Sequence, residues 1–161
     1  MEPRMNLFAN PLGAAIGKRI YATNTAIKES SLPEPVQELV QLRASQINGC
    51  GFCVDIHTKN AEAADETSNR LNLVAAWRHT TVFTAAERAA LALTEEATRI
   101  ADAAPGVSDA TWDAVRAHYD DDQAVALVSL IAMINAANRL SVILNYQGGS
   151  YEPGKLAAIA G

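Results

Sequence analysis

This sequence is short of several things, and each shortage removes a class of function. It holds only two cysteines and three histidines in 161 residues. No second CxxC and no HxxxH accompanies them, so the usual zinc-module spacing is incomplete. Basic residues are outnumbered, 13 Lys and Arg against 18 Asp and Glu, and they form no cluster. The resulting net charge of −5 and a pI near 5.1 argue against a nucleic-acid partner, which selects a basic face. The N-terminal residues contain no basic region leading into an apolar block, so no secretory signal is expected and a reducing cytoplasm is the default. The most apolar run, Ala124 to Ile134, includes Ser129 and leads into Asn135, Asn138 and Arg139. It reads as too short and too polar for a membrane span of about 20 residues. A glycine-rich phosphate loop, a low-complexity tract and an internal repeat are also missing.

What is present is a hydrophobic fraction of 49%, ample for one core, and the chain reads as a single all-α domain over 1–161. An N-terminal arm, residues 1–31, is punctuated by Pro3, Pro11, Gly13 and Gly17, with a short helix over 12–26. A first firm helix opens within Pro33–Pro35, where proline suits the first turn, and stops at Asn48-Gly49. A second begins near Cys50 and continues to about Ala64. Ser68 is expected to cap a third that carries Leu71, Val74 and Trp77 and closes around His79-Thr80. Thr84 and Glu87 have capping-box spacing, and the helix after them is expected to reach about Ala103, before Pro105-Gly106. A fifth helix runs from Ser108 through Trp112 to about Tyr119. The last follows the acidic run Asp120–Asp122 and extends to about Asn145. Apolar on almost every side, it demands cover all round, which in so small a domain points to another subunit. The tail, residues 148–161, wraps or frays.

The chemistry concentrates in Cys50-Gly51-Phe52-Cys53, with His57 four residues on and Glu38 twelve before. In a reducing compartment a lone pair at this spacing is catalytic or metal-binding rather than a staple. Two thiols one helical turn apart close a disulfide with little rearrangement, and a helix N-terminus favours the thiolate. Cys50, Cys53 and His57 fall in line along one face, with His57 at i, i+4 from Cys53, placed to act as its base directly or through one water. Glu38, on the antiparallel preceding helix, is in range to orient the imidazole, which gives a nucleophile–base–orienter set. Plainer readings stand beside this one. The cysteines would also suit two buried small residues, or half a zinc site completed by Glu38, His79, His118 or water. Glu38 alone is an ordinary helix carboxylate. Arg43, interrupting an apolar stripe, marks a buried ion pair. Asn135, Asn138 and Arg139 form a polar network or subunit contact, His79 and His118 are structural, and Trp77 and Trp112 are core.

The stretch from Leu42 to His57 resembles the core of AhpD-like alkylhydroperoxidases, of the carboxymuconolactone decarboxylase superfamily. The pattern Glu, eleven residues, Cys-x-x-Cys, three residues, His places Glu38, Cys50, Cys53 and His57 in register. Similarity extends to the arm at 1–31, LNLVAAWR at 71–78, FTAAERAALALTE at 83–95 and INAANRL at 134–140. The resemblance implies an all-α helical bundle whose two-helix hairpin carries the CxxC site, assembled as a trimer or hexamer. It implies reduction of alkyl hydroperoxides, with Cys53 peroxidatic, Cys50 resolving and Glu38 and His57 as proton relay. The redox-active disulfide would then be the whole apparatus, with no bound cofactor or metal, regenerated by a lipoyl- or thioredoxin-like dithiol. Cys50, nearer the helix start, would meet that dithiol. One departure matters. Phe52 stands where founding members can carry a second histidine. The decarboxylase branch generally lacks the cysteine pair, which counts against lactone decarboxylation. A non-enzymatic redox-sensing oligomer is the third alternative.

Overall fold

In helices of 6 to 23 residues, the chain folds back on itself around one buried helix. The computed structural model describes residues 2–102 and 106–155. Among them there are seven α-helices and no strand: α1 (Pro11–Lys28), α2 (Glu34–Ile47), α3 (Gly51–Ala63), α4 (Ser68–Leu73), α5 (Ala85–Thr98), α6 (Asp109–Arg116) and α7 (Asp121–Ile143). Helix α2 is the centre, packed against α3, α5 and α7. Val36 and Val40 face Ala90, Leu93, Leu127 and Ile131, while Leu39 and Leu42 face Leu71, Trp77 and Leu91. A helix buried on both sides anchors both clusters, so truncating Leu39 or Leu42 to alanine should cost about 2–5 kcal/mol.

The ends of α2 and α3 set up the site. Pro35 lies in the first turn of α2, where its missing N–H costs nothing. At the other end Gly49 adopts φ +66, the left-handed conformation that favours glycine. Its N–H reaches the Gln46 carbonyl at 3.3 Å, and the Cys50 N–H reaches the Ser45 carbonyl at 3.0 Å. This paired closure of α2 delivers Cys50 directly to the start of α3, so the hairpin turn and the CxxC are one structural unit.

Several boundaries differ from expectation. Helix α1 is longer than predicted, because Asn10 caps it by accepting from the N–H groups of Leu12 and Gly13. Thr67, not Ser68, caps α4, which continues as a 3-10 stretch, Val74–His79. Helix α5 stops at Thr98 rather than near Ala103, a position that lies, with Pro105, outside the described residues. The reason is Glu96, whose carboxylate accepts from the Ser108 N–H at 2.7 Å and from the Thr111 hydroxyl at 2.7 Å. The chain must therefore turn back to start α6. Trp112 is exposed, not core: Thr111, Val115 and Tyr119 hold the inward register of that segment. The end of the tail, 156–161, likewise lies outside the described residues.

Helix α7 also corrects a reading. At 23 residues it is long and apolar enough, by length and composition, to cross a membrane, because the apolar pattern resumes after Arg139. Its inward face, including Leu127, Leu130 and Ile131, packs in the core. Its outward face leaves Val125, Val128 and Ala132 exposed in the single chain.

Candidate redox site

Cys50 and Cys53 form a disulfide with a Cα–Cα distance of 5.3 Å. Cys50 is the N-cap of α3, and its sulfur accepts the Cys53 N–H at 3.2 Å, the position usually held by a serine or aspartate oxygen. Once reduced, that sulfur would sit where the unpaired N–H groups of the first turn favour negative charge. Both cysteines are buried, 1% and 3% exposed, among Ala44, Ile134 and the flank of Phe52. Cys50 is thus no more open than Cys53 in the disulfide form.

His57 lies on the same helix one turn beyond Cys53 and is buried. Its Nδ1 is 2.9 Å from a Glu38 carboxylate oxygen on α2. An ionised carboxylate only accepts, so Nδ1 carries the hydrogen and Nε2 remains for a second partner. The structure therefore brings Glu38 and His57 together, as their spacing predicts. The helical register places Cys53 and His57 on one face of α3.

Glu38 and His57 open into a groove of about 550 Å³. Tyr21, Asn24 and Thr25 of α1, Gln37 and Gln41 of α2, Asn60 of α3 and Tyr151 of the tail line it, with Ile56 and Leu130 as apolar floor. The Asn24 side-chain oxygen, Oδ1, is buried there without a hydrogen-bond partner among the described residues. The disulfide does not line this groove. Sequence reading missed the α1 and tail residues entirely, because nothing local in them signals a site.

The tail clamps the outer side of α3. Tyr146 meets Phe52 edge-on, with ring centroids 5.7 Å apart. Gly148 lies so close to the Gly51 carbonyl that a Cβ would stand 2.3 Å from the oxygen. The Asp55 carboxylate accepts the N–H groups of Gly149 and Tyr151, at 2.6 and 3.0 Å, and pairs with Lys59. Burial pushes the Asp55 carboxyl up, but Lys59 and the two N–H groups outweigh it and leave it below the ordinary carboxylate range. The i, i+4 spacing of Asp55 and Lys59 was the available signal, yet nothing said the tail would complete it.

The remaining candidates separate from the site. Arg43 is half of a buried ion pair with Glu95. His79 and His118 are exposed, whereas the cysteines are buried. Asn135 and Asn138 form the expected polar network. Among the described residues no three His, Cys, Asp or Glu side chains are grouped to hold a metal.

Comparison with known proteins fits this picture. The sequence profile of the carboxymuconolactone decarboxylase family matches residues 14–96. The Bacillus subtilis protein YdfG, itself uncharacterized, is 39% identical over 123 residues, 76% of this chain and 82% of that protein. The crystal structure of an Agrobacterium tumefaciens protein of unknown function, provisionally an AhpD antioxidant-defence protein, superposes with a TM-score of 0.85. It is 33% identical and covers 93% of this chain and 100% of its own. An uncharacterized peroxidase-related protein from Ralstonia eutropha with an alkylhydroperoxidase AhpD core shares the fold at 21% identity. Its TM-score is 0.68, with 82% of this chain and 70% of that one covered.

Proposed function

Since the chain belongs to the carboxymuconolactone decarboxylase family, as an AhpD-like member, we propose that it is a dithiol-dependent peroxidase acting on alkyl hydroperoxides. The observation that carries this reading is one helix start holding both sulfurs, one turn from an imidazole already oriented by a carboxylate. In the reduced enzyme His57 accepts the Cys53 proton. The thiolate attacks the distal oxygen of the hydroperoxide, the O–O bond breaks, and the departing alkoxide takes a proton to leave as alcohol. Cys53 is then a sulfenic acid. Cys50 attacks its sulfur, the S–S bond forms and water leaves. An external dithiol, lipoyl- or thioredoxin-like, reduces the disulfide by exchange, so each turnover converts one hydroperoxide and one dithiol into alcohol, water and a disulfide. Glu38 holds His57 in its tautomer and shares the proton.

The groove beside the relay is the proposed route of entry for the hydroperoxide, whose organic part rests on Ile56 and Leu130. No bound cofactor or metal is invoked, because the sulfurs carry both electrons. The exposed Val125, Val128 and Ala132 of α7 would be covered in a homo-oligomer, a trimer or hexamer, in the cytoplasm.

Thiol counting tests the reading. One equivalent of cumene hydroperoxide should remove both thiols of the reduced protein and yield one intramolecular disulfide. Cys53→Ser should abolish peroxide consumption, while Cys50→Ser should leave a dimedone-trappable sulfenic acid. Trapping in Cys53→Ser instead would exchange the two roles, and thiols that survive the peroxide would end the proposal.

A further inference from the structure

Directly beneath the CxxC turn lies a set of side-chain amides that the proposed chemistry does not use. The Asn48 side-chain NH₂, at the C-cap of α2, donates to Asn138 Oδ1 at 2.8 Å and to Asn135 Oδ1 at 3.0 Å. Asn138, fully buried on α7, donates to Ser45 Oγ at 3.0 Å, and Ser45 donates in turn to the Gln41 carbonyl at 2.7 Å. The Ser45 carbonyl accepts the Cys50 N–H at 3.0 Å. Asn135 continues the network to Thr98 on α5 at 3.1 Å. Every step is within hydrogen-bond range, and the network ties α2, α5 and α7 to the backbone that presents Cys50.

We propose that Asn48 and Asn138 are positioning residues for the Cys50–Cys53 couple, fixing the Asn48-Gly49-Cys50 turn so that the two thiols stay at bonding distance in the reduced protein. The physical argument is one of preorganisation. A turn held from below spends little entropy in bringing Cys50 to Cys53, which raises the effective concentration of one sulfur at the other. With the turn free, the reduced state gains conformations that the disulfide excludes, and the equilibrium moves toward the dithiol. The half-buried position of Asn48, at a helix end, suits this role better than a purely stabilising one. The inference rests on the dithiol cycle proposed above, yet not on hydroperoxide being its oxidant.

The experiment measures the disulfide–dithiol equilibrium of the full chain in reduced and oxidised dithiothreitol buffers, alongside the thermal midpoint. Variants are Asn48→Ala, Asn138→Ala and their combination, with Trp77→Phe as control, since Trp77 is buried away from the turn and donates to Glu95. Each asparagine variant should lower the equilibrium constant for the disulfide about tenfold, an upward shift of about 30 mV in potential. The combination should shift it by less than the sum, because both residues serve one link. Trp77→Phe should lose stability with its potential unmoved. Asn48→Ala keeps the test decisive if the buried Asn138→Ala fails to fold. Unmoved potentials in the asparagine variants, or an equal shift in Trp77→Phe, would overturn the proposal. A native pair that forms no measurable disulfide would overturn it as well. Failure of the peroxidase reading looks different: the native pair equilibrates with dithiothreitol but resists cumene hydroperoxide.

Discussion

Glu95 and Glu38 are two carboxylates of nearly equal side-chain exposure, 11% and 12%, that the fold treats in opposite ways. Glu95 is saturated. Arg43 donates to it from two nitrogens, at 2.8 and 2.5 Å, Trp77 donates its indole N–H at 3.0 Å, and Arg78 adds a further pair. Burial pushes the Glu95 carboxyl up, but these donors together outweigh it and hold it below the ordinary carboxylate range. Among the described residues Glu38 has one side-chain partner, the imidazole of His57, and it borders a groove. A carboxylate whose lone pairs are all engaged by permanent donors has no capacity left for a moving proton. One paired with a single titratable ring retains it. Burial alone therefore does not distinguish a structural acid from a candidate relay; the number and kind of its donors do.

Substitution can break that contrast from either side. The largest effect is expected at the relay: Glu38→Gln or His57→Asn should slow hydroperoxide-driven thiol oxidation by roughly 10²–10⁴-fold, typical of losing a general base. Stopped-flow oxidation of the reduced protein measures it, and native rates in both variants would remove the pair from the mechanism. At Glu95 the effect should fall on stability instead. Glu95→Ala strands Arg43 beside a core and should cost about 3–5 kcal/mol in urea unfolding, with the thiol oxidation rate of the folded protein retained.

Acid sharpens the same comparison. The folded carboxyl of Glu95 lies below its ordinary value of 4.5. Its contribution is complete above that value and is lost as pH falls through the lower folded value. The stability gap between the native protein and Glu95→Gln should accordingly be constant from neutral pH to about 5 and narrow below it. A gap that widens in acid would reverse the assignment. Smallest of all should be Arg78→Met, because Arg78 is half exposed and solvent screens it; less than about 1 kcal/mol is expected by the same unfolding measurement.

Much of this contrast was legible in the sequence, and the reasons are physical. Arg43 in an apolar stripe implied a buried acid partner. Glu38 and His57 were predictable as neighbours because a tight stop at Asn48-Gly49 folds α3 back along α2. Capping at Thr84 and Ser108 was equally local. What escaped depended on distant chain. The groove borrows Tyr21 and Asn24 from α1 and Tyr151 from the tail, and the early end of α5 follows from a carboxylate used twelve residues later. Trp112 is exposed because the register of α6 turns Thr111 and Val115 inward, and aromatic character alone does not fix that register. The sealed disulfide escaped because its neighbour is distant in sequence: Ile134 of α7, 81 residues after Cys53, packs against it.

Asp55 and Gly149 are 94 residues apart, and this separation bears on biogenesis. During synthesis the redox helix leaves the ribosome well before the segment that clamps it. At translation rates of about 5–20 residues per second the interval is roughly 5–20 s. The lid of Ile134 on α7 emerges late as well. A nascent chain thus carries its reactive pair exposed to whatever oxidant is present, and only the finished polypeptide can shelter it.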